Sequence, residues 1–282
     1  MITLREAARL VIPPRLKVGW ELFALVLFVT GYTVAVAWLD ENYQHGPITA
    51  GDAQITIING LILGTLVGFR TNEASKRWWE GRVLWGQLIN DARNLCIKGR
   101  SLVRMDDDDR KRWAMLMAAF PVAVKDHLRD AARLQKLAGF EDATDQPAHV
   151  PLYVAGLIQA VSVKWHRDGN LDSTGLWMLD PLVRDLMNIC GGCERIKNTP
   201  LPSSYRAILH HGLTLIALVT PIFLVQDLGY WSVIVMAIVT YFAFGIELVA
   251  VHIEEPFGCD GDDLPLDAYC ATIAKSVEQT MA

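Results

Sequence analysis

Gln54 to Gly99 reads QITIINGLILGTLVGFRTNEASKRWWEGRVLWGQLINDARNLCIKG, and the fold turns on this stretch. It begins as an apolar run and passes into a charged, tryptophan-rich run with no proline and no cluster of turn residues between them. One long helix accounts for both, its first half in lipid and its second half in water. Gly60, Gly64 and Gly68 recur every four residues, so they share a face and let another helix backbone approach closely. Beside them runs a second stripe, Leu61, Thr65 and Phe69. Packing alone accounts for such stripes; the sharper reading has one stripe pack while its neighbour lines something.

The rest of the composition agrees with a membrane setting. Hydrophobic residues make up 52% of the 282 positions, and the mean hydropathy is +0.24, both pointing to the membrane class. Charged residues are still 20%, so much of the chain meets water. A formal net charge of −5 and the lack of a basic tract give no support for nucleic acid as a partner.

Where the positive charges fall says more than their sum. Val18 to Phe69 contains no Lys or Arg, and neither does Ala207 to Ala274, so all 26 basic residues lie in the N-terminal tail, the block Arg70 to Arg206, and the extreme C-terminus. The positive-inside rule puts those three regions in the cytoplasm and makes each basic-free stretch cross out and back. Leu22 to Leu39 is the first span, with Trp20 at the interface and a polar external loop to about Asp52. Ile55 to Phe69 is short for a bilayer and depends on its helical continuation at both ends. Ala207 to Val225 and Leu228 to Ile246 form a hairpin around Gln226 and Asp227. The first apolar run begins late, is long and has no small-residue cleavage pattern after it, so it is expected to stay in the mature protein.

The sequence therefore predicts an all-α membrane protein with four transmembrane helices at about 20–39, 54–69, 207–225 and 228–247. A large helical cytoplasmic region occupies 70–206 and 254–282, and residues 1–282 form one domain. Within the cytoplasmic block, Asp106 to Asp109 reads as the cap of a following helix rather than a calcium loop, because it lacks the alternating spacing and Gly of an EF-hand. Pro151 to Lys164 and Leu176 to Lys197 read as two further amphipathic helices, with Gly139 to Val150 a loop.

Candidate chemistry is sparse. His210 and His211 are adjacent and so point in different directions, which suits a polar bilayer edge better than a ligand pair. Glu247 is expected to snorkel or to pair with an internal Arg. Cys190 and Cys193 have CxxC spacing, but no second CxxC or suitably spaced His pair completes a zinc set, and the five cysteines read as free thiols. His252 with Glu254 and Glu255 is the nearest approach to a metal cluster. No nucleophile elbow, P-loop or HExxH motif is present, so an enzyme is not expected.

Three segments carry a family resemblance: GFRTNEASKRWWEGRVLWGQL, NTPLPSSY before the third span, and HIEEPFGCDGDDLPLDAYC after the fourth. Together they resemble the bacterial branch of the bestrophins, with Arg77-Trp78-Trp79 and Pro256-Phe257-Gly258 the most specific steps. The resemblance implies a bestrophin-like homopentameric ion channel in the cell inner membrane, with small ions and the lipid bilayer as its other partners. Five copies of the second span would line the pore around a hydrophobic neck, which falls here on Leu61, Thr65 and Phe69. Thr65 departs from the usual apolar residue, and its hydroxyl is expected to ease wetting of the neck. Gly60, Gly64 and Gly68 would let the spans approach around the ring, and a second, cytosolic aperture would fall on Leu201. The family's calcium-clasp positions match Glu255, Asp260 and Asp263, with Gly261 and Cys259 standing where the animal motif is acidic. Bacterial members are expected to conduct without calcium, so no cofactor is required. The family as a whole implies chloride or other small anions. A sodium or potassium channel of the same fold is the alternative, and a membrane-anchored cytoplasmic scaffold without transport is a second one.

Overall fold

The computed structural model describes residues 17–43 and 52–282, with residues 17–18 and 52–57 described by backbone alone. Most of the external loop predicted after the first span lies outside the described residues. Among those described, the regular structure is helical: α1 (Lys17–Tyr43), α2 (Asp52–Leu102), α3 (Asp107–Leu128), α4 (Val150–Arg167), α5 (Ser173–Asn198), α6 (Ser203–Leu228), α7 (Trp231–Glu254) and α8 (Leu266–Met281), with a 3-10 turn at Leu134–Lys136. The chain divides into two compact units, Met1–Lys76 with Leu201–Glu254 and Arg77–Pro200 with Glu255–Ala282. The expected unbroken helix is there as α2, 51 residues long, which contributes to both units.

The first unit holds α1, the start of α2, α6 and α7. Gly19–Tyr43, Ser203–Leu228 and Trp231–Glu254 are each long and apolar enough to cross a bilayer, and only 22% to 28% of their most apolar windows is buried within the chain. Large side chains such as Phe28, Leu215, Ile238 and Phe242 therefore point outward, an arrangement that water would penalise and that lipid or another subunit accommodates. The interior is thin: Val29, Ala217 and Met236 form its core, with Leu224 and Phe244 against it. Two polar side chains of α1 find backbone partners: Tyr32 donates to the Leu218 carbonyl on α6 at 3.0 Å, and Thr33 donates back to Val29 at 2.8 Å, which satisfies groups shielded from water.

The hairpin differs in detail from its prediction. Helix α6 runs through Gln226 and Asp227 to Leu228, because both side chains sit on its last turn without interrupting the backbone ladder. The reversal falls on Gly229 and Tyr230, with Gly229 at φ 53 in the left-handed region that favours glycine. Its N–H donates to the Val225 carbonyl at 2.7 Å, which closes the helix end.

The second unit is a water-soluble type of bundle with a dense core. Trp85, Leu88, Ala92, Leu95 and Cys96 of α2 repeat at helical spacing and are buried. They pack with Trp113 and Phe120 of α3, Ile158 and Trp165 of α4, Leu179 and Leu186 of α5, and Ile273 and Val277 of α8. The Trp113 and Trp165 rings lie 4.9 Å apart and tilted. Asp106 caps α3 by accepting from the Asp109 N–H at 2.7 Å, and Asp172 caps α5 from the Gly175 N–H at 2.6 Å, so the acidic run acts as a cap. The two predicted central helices form over slightly wider bounds, because each cap lies ahead of its first apolar residue.

Candidate pore helix and its charged clamp

On the first part of α2, Leu61 is 72% exposed and Phe69 58% exposed, and Thr65 is exposed between them. A Cβ built on Gly60, Gly64 or Gly68 would meet nothing within 4 Å among the described residues. Both stripes are therefore open in the single chain. The face turned toward its own chain is a third one, carrying Val67, Arg70 and Ala74, all buried. Leu66 lies beside Gly212 of α6, 3.7 Å from where a Cβ there would sit. The Thr65 hydroxyl is not free to turn outward as a donor, since it donates to the Leu61 carbonyl at 2.8 Å. Its oxygen lone pairs remain as acceptors on the exposed face.

Arg70 follows Phe69 directly and is fully buried. Its Nη2 donates to Glu254 Oε2 at 2.6 Å, and its Nε lies 3.5 Å from Glu247 Oε1. Glu247 and Glu254 stand two turns apart on one side of α7, so the expected pairing of Glu247 with an internal arginine is realised. The other Glu254 oxygen accepts the Leu201 backbone N–H at 3.0 Å. One carboxylate thus ties the residue after the Leu61–Thr65–Phe69 stripe to Leu201, which is itself half-buried.

In the second unit, the tryptophan motif has a mechanical role that the residues alone did not disclose. Arg77 donates to the Thr199 carbonyl at 2.5 Å and the Ile196 carbonyl at 2.6 Å, satisfying the end of α5. Trp78 donates from its indole to the Asp262 carbonyl at 3.0 Å. Gly81 sits against the acidic segment, where a Cβ would come within 3.1 Å of the Phe257 ring. That segment closes on itself: the Asp260 N–H donates to Asp263 Oδ2 at 2.5 Å, and the Leu264 N–H to the Pro256 carbonyl at 2.9 Å. Burial raises the Asp263 carboxyl above its ordinary value. Glu255 and Asp260 are exposed. With Asp263 already engaged by a backbone N–H, the three clasp positions do not form a ready-made calcium cage.

The ligand-bearing trio that does converge among the described residues is His127, His149 and Glu194, with ligand atoms within 4.8 Å of one another. His127 closes α3, His149 is the cap of α4, and Glu194 lies on α5. The two histidines stand 67 and 45 residues from Glu194 in sequence, so no local spacing signals them. Burial alone would raise the Glu194 carboxyl, but hydrogen bonds from His149 and His127 outweigh it and hold the carboxyl below its ordinary value. The expected free thiols are found as such. Cys96, Cys190, Cys193 and Cys270 are buried and Cys259 is exposed, and burial pushes the Cys96, Cys193 and Cys270 thiols up to about 12.

Apolar helices of spanning length in one unit, and a densely packed helical bundle in the other, define an integral membrane protein whose regular structure, among its described residues, is helical. The family model for the bacterial and fungal bestrophins matches residues 5–279. The chain belongs to that family. A voltage-dependent anion channel-forming protein of Nostoc is 32% identical over 236 residues, spanning 79% of this chain and 76% of that protein. The Escherichia coli K12 voltage-dependent anion channel-forming protein YneE is 31% identical over 250 residues, 86% and 81% of the two chains. A crystal structure of a bacterial bestrophin homologue from Klebsiella pneumoniae superposes with a TM-score of 0.82 at 24% identity, covering 92% of this chain and 98% of that one, a likeness of fold.

Proposed function

We propose that the protein is a passive channel for small monovalent anions, assembled as a homopentamer in the cell inner membrane with both termini in the cytoplasm. The observation that carries this reading is the pair of open stripes on α2. A pore-lining neck of Leu61, Thr65 and Phe69 needs exposure to a central axis, and Gly60, Gly64 and Gly68 need a neighbouring copy to approach them. The names of the relatives from Nostoc and Escherichia coli support anions as the permeant class. The first part of α2 is then the fourth span, shorter than a lone lipid-facing helix because a conduit lined by other copies shields it. Leu201 forms the cytosolic aperture. The channel needs no cofactor, and calcium at Glu255, Asp260 and Asp263 would require the acidic loop to open first.

A cation channel of the same fold is favoured by one observation. The Thr65 hydroxyl hydrogen is spent on Leu61, so a ring of Thr65 side chains would present oxygen lone pairs, which suit a cation. Reversal potential in a planar bilayer under an asymmetric KCl gradient separates the readings. Reversal near the chloride potential supports the anion channel, and reversal near the potassium potential supports the second reading. Absence of current from both the wild type and a Leu61→Ala/Phe69→Ala variant would sink both and leave an anchored scaffold. Native mass spectrometry of the purified protein tests the pentamer directly.

A further inference from the structure

His127 Nε2 and His149 Nε2 both approach one oxygen, Oε1 of Glu194, at 2.7 Å. The Cys190 thiol stands 3.8 Å from that same oxygen, one turn back along α5. The two imidazole rings lie 4.4 Å apart. Two nitrogens and a carboxylate oxygen thus converge, all within 4.8 Å of one another, from α3, the cap of α4, and α5, while the thiol approaches the carboxylate alone. The His and Glu side chains are between 26% and 29% exposed, open enough for an ion to enter.

We propose that this cluster binds a divalent transition metal of the zinc class, with His127, His149 and Glu194 as its three protein ligands and the fourth position left to water. Tetrahedral zinc, with bonds of about 2.0–2.3 Å, holds its ligand atoms roughly 3.3–3.8 Å apart. The two 2.7 Å contacts are hydrogen bonds that must lengthen by roughly 0.6 Å to admit the ion. One carboxylate offsets half of the dication's charge, which a hydroxide in the open fourth position would balance, and imidazole with carboxylate is a donor set that this metal class takes.

The protons are accounted for. His149 Nδ1 accepts the Leu152 N–H at 3.1 Å, so its proton sits on Nε2 and is donated to Glu194. When the ion takes Nε2, that proton moves to Nδ1 and the cap of α4 is given up, an effect of about tenfold on affinity. His127 changes tautomer in the same way. Lys197 lies near, with Nζ 3.4 Å from the His127 carbonyl, but its charge is matched by Asp130 at 2.6 Å.

The test uses the full-length purified protein in detergent, chelator-stripped and kept reduced, so it does not depend on conduction. Zinc competition against a chromophoric chelator should give one ion per chain, and Glu194→Gln or a His127→Asn/His149→Asn pair should weaken it by about 100-fold or more. Cobalt in place of zinc should show strong tetrahedral visible bands that Glu194→Gln weakens. A stripped wild type that takes up no stoichiometric zinc overturns the proposal, as does binding unaffected by Glu194→Gln. Gel-filtration elution and far-ultraviolet circular dichroism confirm folding of each variant. Should a variant not fold, stoichiometry and the cobalt spectrum of the wild type decide alone.

Discussion

Glu254 accepts the buried Arg70 guanidinium on one carboxylate oxygen at 2.6 Å and the Leu201 backbone N–H on the other at 3.0 Å. The residue directly after the proposed neck stripe and the residue of the proposed aperture therefore share one anchor. Removing Glu254 leaves a buried cation with only the longer Glu247 contact, and breaking a buried pair of this kind costs about 3–5 kcal/mol. Glu254→Ala should thus lower the thermal midpoint strongly in a detergent melting assay. Glu254→Gln keeps an acceptor for Leu201 and should fall between it and the wild type. Equal midpoints for Gln and Ala would show that the Leu201 bond contributes nothing.

Thr65 tests the neck. Thr65→Val keeps the shape and removes the oxygen, so single-channel conductance should fall several-fold, equivalent to roughly 1 kcal/mol on the permeation barrier. Unchanged conductance would mean that the constriction lies elsewhere.

Arg77 places two nitrogens on two carbonyls at the end of α5, a fork that a lysine cannot reproduce. Arg77→Lys is expected to cost about 1–2 kcal/mol, and Trp78→Phe, which loses the bond to Asp262, about 1 kcal/mol. Chemical denaturation followed by tryptophan fluorescence measures the first, with Trp78→Phe read by circular dichroism because it removes a fluorophore.

The long α2, the amphipathic bundle helices and the acidic cap were legible in the sequence because each depends on neighbours within a turn or two. The shared exposed face of Leu61, Thr65 and Phe69 was legible for the same reason, as a periodicity. Arg70 was harder: a cation at the end of an apolar run reads as interfacial, and only the fold brings Glu247 and Glu254 to it. His127, His149 and Glu194 were not legible at all. Histidines on separate helices carry no spacing, and Cys190 drew attention to Cys193, which is buried in the core, rather than to Glu194 one turn on. The turn at Gly229 was misplaced because polar residues at a helix end look like loop when only composition is read.

Acid should loosen the N-terminal end of α8. Asp267 bonds Lys125 of α3 at 2.8 Å and Arg129, the residue capping that helix, at 3.0 Å, with Asp126 nearby on Lys125. Hydrogen bonds from Lys125 and Arg129 hold its carboxyl below the ordinary value. A depressed carboxylate contributes stability that is present above its unfolded pKa, about 4, and is lost as pH falls through the folded value. The carboxylate is largely exposed, so the effect is about 0.2–1 kcal/mol. Asp267→Asn should lower the melting midpoint slightly at neutral pH and leave it unchanged at about pH 2. An equal difference at both pH values would rule out the charge as its origin.

With Cys96, Cys190, Cys193 and Cys270 buried and Cys259 exposed, the wild-type chain comes with a built-in attachment point. A maleimide dye at neutral pH should couple once per chain, since buried thiols held up to about 12 offer almost no thiolate to react. The dye would sit in the segment between Pro256 and Asp263, next to Asp260. Fluorescence from that position reports any opening of the acidic loop on adding calcium, without engineering a single residue. A labelled assembly would also carry one fluorophore for every subunit, so counting photobleaching steps in single complexes gives the subunit number optically.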